Sequence, residues 1–450
     1  MTRIEFWPAG GCLRRVTGAL ILLALLAACA EDELILPGKR EDVRAILSED
    51  SEAAIAEPTN ESRPISLPSS TNNANWTQSQ GTPAHRVANP ALSSQLSLIW
   101  SADIGSGDGR RQRITATPVA AQGLVFTLDA DATVTATSTS GQKVWQNEAR
   151  PARDKSGQAS GGGLAYADGR LYVTIGYGAL VVFDAATGGE IWRQRFDGTA
   201  SGAPTVFGGL VYLTVADDRG WAIRTDNGRE AWQVVATPAA SNVLGAPAPA
   251  LSDELAVFAF GSGEVQTLFR RGGLRRWDAS VTGERPGFAL AKVADVTAAP
   301  VIVGNRVYVG NQSGRLVALD LQSGDRVWTA DEGAHGRIVP AGDSLFVISD
   351  RNELLRLNAS DGGRIWGQQL PNFVKDRPRR RSEVFSHHGP LLAGGRIHVA
   401  SNDGQLRSFD PASGALVGSV EIPGGATTKP VVAGGVLYVV SAKGKLHAFR

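Results

Sequence analysis

The chain has 450 residues, 42 % of them hydrophobic and 20 % charged, which is ample for a large folded core. Its net charge is +1, and beyond residue 28 it carries 42 basic against 43 acidic side chains, a balance that argues against nucleic-acid binding, which needs a basic footprint. The only two cysteines, Cys12 and Cys29, sit near the N-terminus, so the rest of the chain has no disulfide and no thiolate metal site.

The first feature in chain order is an address. Arg14 and Arg15 precede an apolar run from Val16 to Ala28, of signal-peptide length and too short to span a bilayer. The run ends Leu26-Ala27-Ala28-Cys29, which resembles the lipobox of bacterial lipoproteins. That resemblance implies a signal peptide over residues 1–28 and a mature chain lipidated at Cys29, where each buried acyl methylene contributes roughly 0.8 kcal/mol to membrane attachment. Ala30, where lipoproteins kept at the inner membrane often carry Asp, implies sorting to the outer membrane. Residues 29–95 then read as a flexible tether. Residues 30–75 are rich in Glu, Asp, Ser, Pro and Asn with little apolar periodicity, and a short helical turn is predicted at 41–47.

From residue 96 to the end a unit recurs, marked by Gly, three residues, then Trp. It appears at Gly141–Trp145, Gly188–Trp192, Gly228–Trp232, Gly273–Trp277, Gly324–Trp328 and Gly362–Trp366, with successive Trp residues 47, 40, 45, 51 and 38 positions apart. A period of this size means a propeller or a solenoid. Each unit holds four short apolar or alternating stretches separated by turn residues, as in 299–303, 306–309, 314–320 and the segment carrying Trp328. Four such strands make one propeller blade. The glycine supplies the positive φ of the hairpin, and the Trp four residues on is placed to pack between blades. Tyr172, Tyr212, Tyr308 and Tyr438 recur on the second strand and are expected in the same layers. A seventh unit, from Gly389, has Gly418 in place of Trp. An eighth, from Lys429, ends one strand short at Arg450, and residues 96–100 are positioned to supply that strand. The expectation is an all-β, eight-bladed β-propeller of four-stranded antiparallel blades over residues 96–450, with the last blade closed by the N-terminal strand.

Segments such as 183–192 and 318–328 resemble the repeat of quinoprotein-like propellers. A WD40 reading fails, because Trp277-Asp278 is the single Trp-Asp pair and lacks its Gly-His partner. Together with the lipobox, the stretch Asp295–Val303 and the ending Gly444–Phe449, the chain resembles the BamB family, propeller lipoproteins of the outer-membrane β-barrel assembly (BAM) machinery. That resemblance implies a non-enzymatic scaffold without cofactor, attached by lipid to the periplasmic face of the outer membrane. Its implied partners are the POTRA domains of BamA, other BAM subunits and unfolded outer-membrane proteins, with no nucleic acid. The family's contacts lie in the loops before the fourth and fifth blades. Carried onto this chain they fall on Asn242 and Leu244 in the first and Asp295 in the second, although Asn242 stands where the family has Arg.

Other chemistry is sparse. A quinone-dependent dehydrogenase needs carboxylate and amide ligands for a divalent cation, and no such cluster is spaced in the sequence. Asp217-Asp218 reads as a solvated turn. His387-His388 lies in an extended segment, where neighbouring side chains point to opposite faces and cannot chelate together. His335 reads as a turn residue. Gly161–Gly163 opens a strand, not the helix a nucleotide loop requires. The run Lys375–Arg381 is the strongest local charge, set where an insertion between blades six and seven reaches a face; it reads first as a solvated loop, and as a functional feature it would contact an acidic partner or lipid headgroups. A quinone-dependent dehydrogenase and a propeller that binds cell-wall or sugar ligands stand as the alternatives to the scaffold.

Overall fold

The computed structural model describes residues 59–450 except 87, 239–245, 284, 286–294 and 376. Cys29, the turn predicted at 41–47, Asn242 and Leu244 lie outside the described residues. Pro58–Arg450 is one compact unit.

The described strands form eight antiparallel four-stranded blades. Blades 1 to 7 span 119–148, 162–195, 205–235, 250–280, 296–330, 335–369 and 387–421. Blade 8 joins 431–449 to Leu98–Asp103. Blades 5 and 6 also share one parallel bridge, Ala298 to Gly336. The burial patterns explain the arrangement. A second strand such as Leu210–Val215 is buried at every position, as a strand covered on both faces must be. A fourth strand such as Glu230–Val235 alternates exposed and covered residues, because it lies at the rim.

Closure follows the sequence expectation. Leu98–Asp103 pairs antiparallel with Lys445–Phe449, placing Trp100 opposite Ala448 and Asp103 opposite Lys445. No open edge is left at the junction. The tyrosines occupy the expected layers: Tyr172, Tyr212, Tyr308 and Tyr438 lie 5.8–6.3 Å from Trp192, Trp232, Trp328 and Trp100.

The Gly and Trp of one hairpin serve different neighbours. Each Trp reaches the next blade, donates its indole N–H to a carbonyl there and lies flat against that blade's hairpin glycine. Trp145 donates to Ala185 O at 2.9 Å, Trp277 to Leu321 O at 2.8 Å and Trp366 to Pro411 O at 3.2 Å. A Cβ on Gly188 would stand 2.6 Å from the Trp145 ring, and one on Gly324 2.6 Å from Trp277. The glycine is therefore required twice, by its positive φ and by the indole on its Cα. Seven seams carry this lock. At the eighth, Gly418 takes the Trp position, and a cavity of about 320 Å³ opens beside Arg396, Val417 and Leu96.

The expectation of a loose tether up to residue 95 is corrected for residues 59–95, which are built into the propeller. Asn60 exchanges two hydrogen bonds with the Gly367 backbone, both 2.9 Å, and fully buried Arg356 donates to Arg63 O and Pro64 O. The segment then crosses the axis and meets the innermost strands. Asn73 pairs with Val432 and Gly434 of blade 8, and Trp76 exchanges N–H···O bonds of 2.7 and 2.8 Å with Ala120 of blade 1. Thr77 O accepts from Tyr166 of blade 2, and the Gln78 amide clasps the Val206 backbone of blade 3. Pro83 and Ala84 accept from Leu251 and Ile302 of blades 4 and 5, and Pro90 from Gly394 of blade 7. Blade 6 is reached through Arg337, which donates to Ser79 O at 3.0 Å and Gln80 Oε1 at 2.9 Å. The segment thus supplies partners to inner-strand groups that would otherwise face the axis unpaired. Its contacts are mostly backbone-mediated, so they need no apolar periodicity and leave none in the sequence.

Candidate functional site

Residues 59–95, the strap, contact the ends of the inner strands that lead into their first hairpins. The segments entering those strands gather at the other end of the axis and enclose a funnel of about 710 Å³. Its wall comes from residues 108–117, 295–297, 335–336, 383–388 and 426–429, which lead into blades 1, 5, 6, 7 and 8. A smaller cavity of about 70 Å³ lies between the funnel and the strap, lined by Ser79 and Gln80, and Lys429 borders both spaces.

Cationic and imidazole groups concentrate here. Lys429 has no hydrogen bond or ion pair among the described residues, and burial, with Arg337 acting in the same direction, pushes its ammonium down to about 7. Arg337 is 4 % exposed and spends its guanidinium on neutral acceptors: Ser79 O, Gln80 Oε1 and Pro430 O at 2.7 Å. It also lies over the Trp76 ring, 4.9 Å from the centroid. Burial brings its pKa down to about 9. His85, on the strap, donates Nδ1–H to Pro300 O at 2.7 Å and is pushed by burial to about 4.

The sequence-predicted residues fall unevenly. Asp295 lies directly before Val296–Val303, is 4 % exposed and borders the funnel, while its backbone carbonyl accepts from Gln312. His387 is structural: Nε2–H donates to Pro371 O at 2.7 Å, and Nδ1 accepts from Ser401 at 2.6 Å. His388 borders the funnel without a side-chain hydrogen bond among the described residues, and burial next to Lys429 pushes it to about 4. His335 is no turn residue. It begins the inner strand His335–Ala341 and borders the funnel. The reading of Asp217-Asp218 as a solvated pair holds for Asp217, which ion-pairs with Arg219 at 3.2 Å. It fails for Asp218, which is 3 % exposed and accepts Gly261 N–H at 3.1 Å. The basic run forms an exposed insertion with a 3-10 turn at Pro378–Arg380. It is pinned by a Phe373–Val384 bridge and by Arg381 stacked 4.8 Å over Phe373. Among the described residues no three His, Cys, Asp or Glu side chains gather to hold a metal ion.

Lys429 and Arg337 escaped sequence reasoning because each is a lone cation in an apolar strand context. The one signal was shared position: Lys429 and Arg337 stand two residues before Val431 and Val339, where the other six blades carry the small residues Thr117, Gly163, Ala203, Ala248, Ala299 and Gly389.

A family model described as outer membrane protein assembly factor BamB matches residues 130–368 and 377–450, most of the propeller. The chain belongs to the BamB family. BamB of Shewanella oneidensis is 25 % identical over 361 residues, covering 78 % of this chain and 87 % of that protein. BamB of Escherichia coli K12 is 23 % identical over 371 residues, covering 80 % and 90 %. The crystal structure of BamB from Moraxella catarrhalis superposes with a TM-score of 0.61 at 17 % identity, over 79 % of this chain and 98 % of that one. Quinohemoprotein alcohol dehydrogenase from Comamonas testosteroni gives 0.62 at 16 % identity, over 84 % and 80 %. At such identities these two likenesses describe the fold, which BamB proteins and dehydrogenases share.

Proposed function

We propose that the protein is a non-catalytic scaffold subunit of the outer-membrane protein assembly machinery. In this reading residues 1–28 are removed, Cys29 carries the lipid, and residues 29–58 lead from the periplasmic face of the outer membrane to the strap. The propeller docks on the POTRA domains of BamA through the loops entering blades 4 and 5, with Asn242 and Leu244 in the contact and Asp295 positioning the second loop. The observation that carries the reading is the family match, which runs from blade 1 to the C-terminus. A disc locked at seven seams and strapped across its axis is rigid, as a scaffold that orients its partners should be. Asp295 is nearly buried, so in this reading it shapes the blade 5 loop while the loop before blade 4 supplies contact area.

The test is affinity recovery from detergent-solubilised envelopes. BamA is expected with the wild-type protein and with Asp295→Asn, and is expected to be depleted at least fivefold by Leu244→Glu. Absence of BamA from the wild-type sample overturns the docking. In the same preparation, pyrroloquinoline quinone with calcium is expected to support no alcohol-dependent dye reduction, and turnover would reinstate the dehydrogenase alternative.

A further inference from the structure

The funnel has charge that nothing among the described residues balances. Lys429 stands where the funnel meets the inner cavity, with its Cε 3.4 Å from the point a Cβ on Gly336 would occupy. No carboxylate among the described residues lies within ion-pair distance of Lys429, and Arg337 beside it donates to two carbonyls and an amide oxygen. The acids that border the funnel are placed elsewhere. Asp108 accepts from Ile114 N–H at 2.7 Å and Thr427 Oγ–H at 2.9 Å, Asp295 is held in the blade 5 entry, and Glu383 is exposed on the basic insertion.

An enclosed cation without a counter-charge is costly, and a protein usually pairs it or neutralises it. Here no side chain among the described residues pairs it, while space for a ligand is present. About 710 Å³ falls within the range of small-molecule sites. Two imidazoles, His388 and His335, border the same space, and neither has a side-chain hydrogen bond among the described residues. Each neutral imidazole brings one N–H donor. The exposed bases Lys375, Arg377, Arg379 and Arg380 belong to the insertion whose Glu383 and Ser386 reach the wall, so the approach is positive as well.

We propose that the funnel binds a small oligo-anion bearing carboxylate or phosphate groups, with one anionic group on the ammonium of Lys429 and the remainder against His388 and His335. The strap makes this possible, because it closes the far end of the axis and turns a through-channel into a blind site. Metal chelation does not describe this set: its central group is an ammonium, and the two imidazoles lack a third ligand among the described residues.

The test is isothermal titration of the purified full-length protein at pH 6.5 with citrate and, separately, with pyrophosphate; the two arms separate carboxylate from phosphate recognition. Glucose is the neutral control. Saturable 1:1 binding of at least one anion is expected, with none for glucose. Lys429→Met is expected to weaken it at least tenfold and His388→Gln two- to fivefold, while Lys429→Arg keeps it within about threefold. Lys429→Met removes an uncompensated charge, so its melting temperature should not fall, and that measurement shows that lost binding is not lost folding. No saturable binding of either anion overturns the proposal. So does binding that a folded Lys429→Met protein retains at full strength.

Discussion

At the rim of this propeller one device is used seven times. At its axis no side-chain motif repeats. The rim lock needs an indole, a carbonyl one blade on and a glycine that leaves room for the ring, and its two halves recur in the sequence as a Gly and a Trp four residues apart. The axis is held by a single strand of chain whose carbonyls accept inner-strand N–H groups from blades 8, 1, 2, 4, 5 and 7, with the Gln78 amide serving blade 3 and the Arg337 guanidinium blade 6. A repeat that shows in the sequence needs the same side chains at every position around the circle. A segment that passes each blade once can offer its backbone carbonyls to all of them without repeating a side chain. The rim should therefore fail one seam at a time, whereas the axis should loosen as a unit.

The largest expected effect tests the rim. Trp366 is 1 % exposed and fills the seam between blades 6 and 7. Trp366→Ala is expected to cost about 3–5 kcal/mol, through lost burial, an unfilled seam and a lost hydrogen bond to Pro411 O. Denaturant unfolding measures the loss. Hydrogen exchange should place the new opening in blades 6 and 7, leaving Trp76 and Tyr166 N–H protected. Loss of protection at the strap in this variant would break the separation of rim from axis.

Arg337→Leu tests the axis. It removes three hydrogen bonds and strands Ser79 O, Gln80 Oε1 and Pro430 O, for about 3 kcal/mol. Part is returned, because an uncompensated buried charge goes too. The discriminating readout is again exchange. Trp76, Leu251 and Ile302 amides, which lie on three sides of the axis, should lose protection together, and the Trp145 and Trp277 indoles should not.

Gly362→Ala returns to the rim at smaller cost. Gly362 has φ +76°, and the added Cβ would sit 2.7 Å from Trp328. The strained backbone and displaced indole together are expected to cost about 1–3 kcal/mol, visible as a lower unfolding midpoint.

This contrast also decides what could be read before the structure was known. Eight blades, their order and the closing strand at Trp100 were legible because a lock used seven times leaves six Gly-Trp hairpins in the sequence, with Trp100 and Gly414 as the odd halves at the two ends. Even there, the partner of each Trp was hidden: Gly188 and Trp192 are neighbours in sequence, yet Gly188 receives Trp145. The axis was illegible for the complementary reason. Residues 59–95 look like a tether because backbone bonds such as Trp76 to Ala120 select no side-chain pattern. Lys429 and His335 look ordinary because what sets them apart is the lack of a side-chain hydrogen bond among the described residues, which is a property of the fold alone. Asp218 misled in the other direction, since a turn acid is solvated only if no neighbouring blade covers it.

Acid should act on the axis first. Burial holds His85, His388 and His398 down to about 4, whereas in the unfolded chain each titrates near 6.5. Above pH 6.5 all three are neutral in both states and contribute no pH dependence. As the pH falls, the unfolded chain takes up protons that the folded chain refuses. Stability therefore drops between about 6.5 and 4, by at most about 1.4 kcal/mol per pH unit for each imidazole. Two of the three lie at the axis, His85 on the strap and His388 in the funnel. His85→Gln should flatten the slope of stability against pH by one proton. An unchanged slope would mean that His85 protonates freely in the folded state, which its burial opposes.

The smallest expected effect concerns closure, where rim and axis meet in sequence. Lys445 and Asp103 form an ion pair of 3.3 Å across the joining strands, with side chains 48 % and 70 % exposed. It looks like a clasp, but exposed pairs contribute little. The same two strands share a backbone ladder from Leu98–Phe449 to Asp103–Lys445, and Trp100 both packs on Tyr438 and donates to Thr139 O. Lys445→Ala is therefore expected to change stability by less than about 0.5 kcal/mol, with little added dependence on salt. A larger loss that salt abolishes would mean the ring is fastened by charge. A negligible one leaves the fastening to the backbone ladder and to the Trp100 indole, the rim device applied once more at the only seam where the two ends of the propeller chain meet.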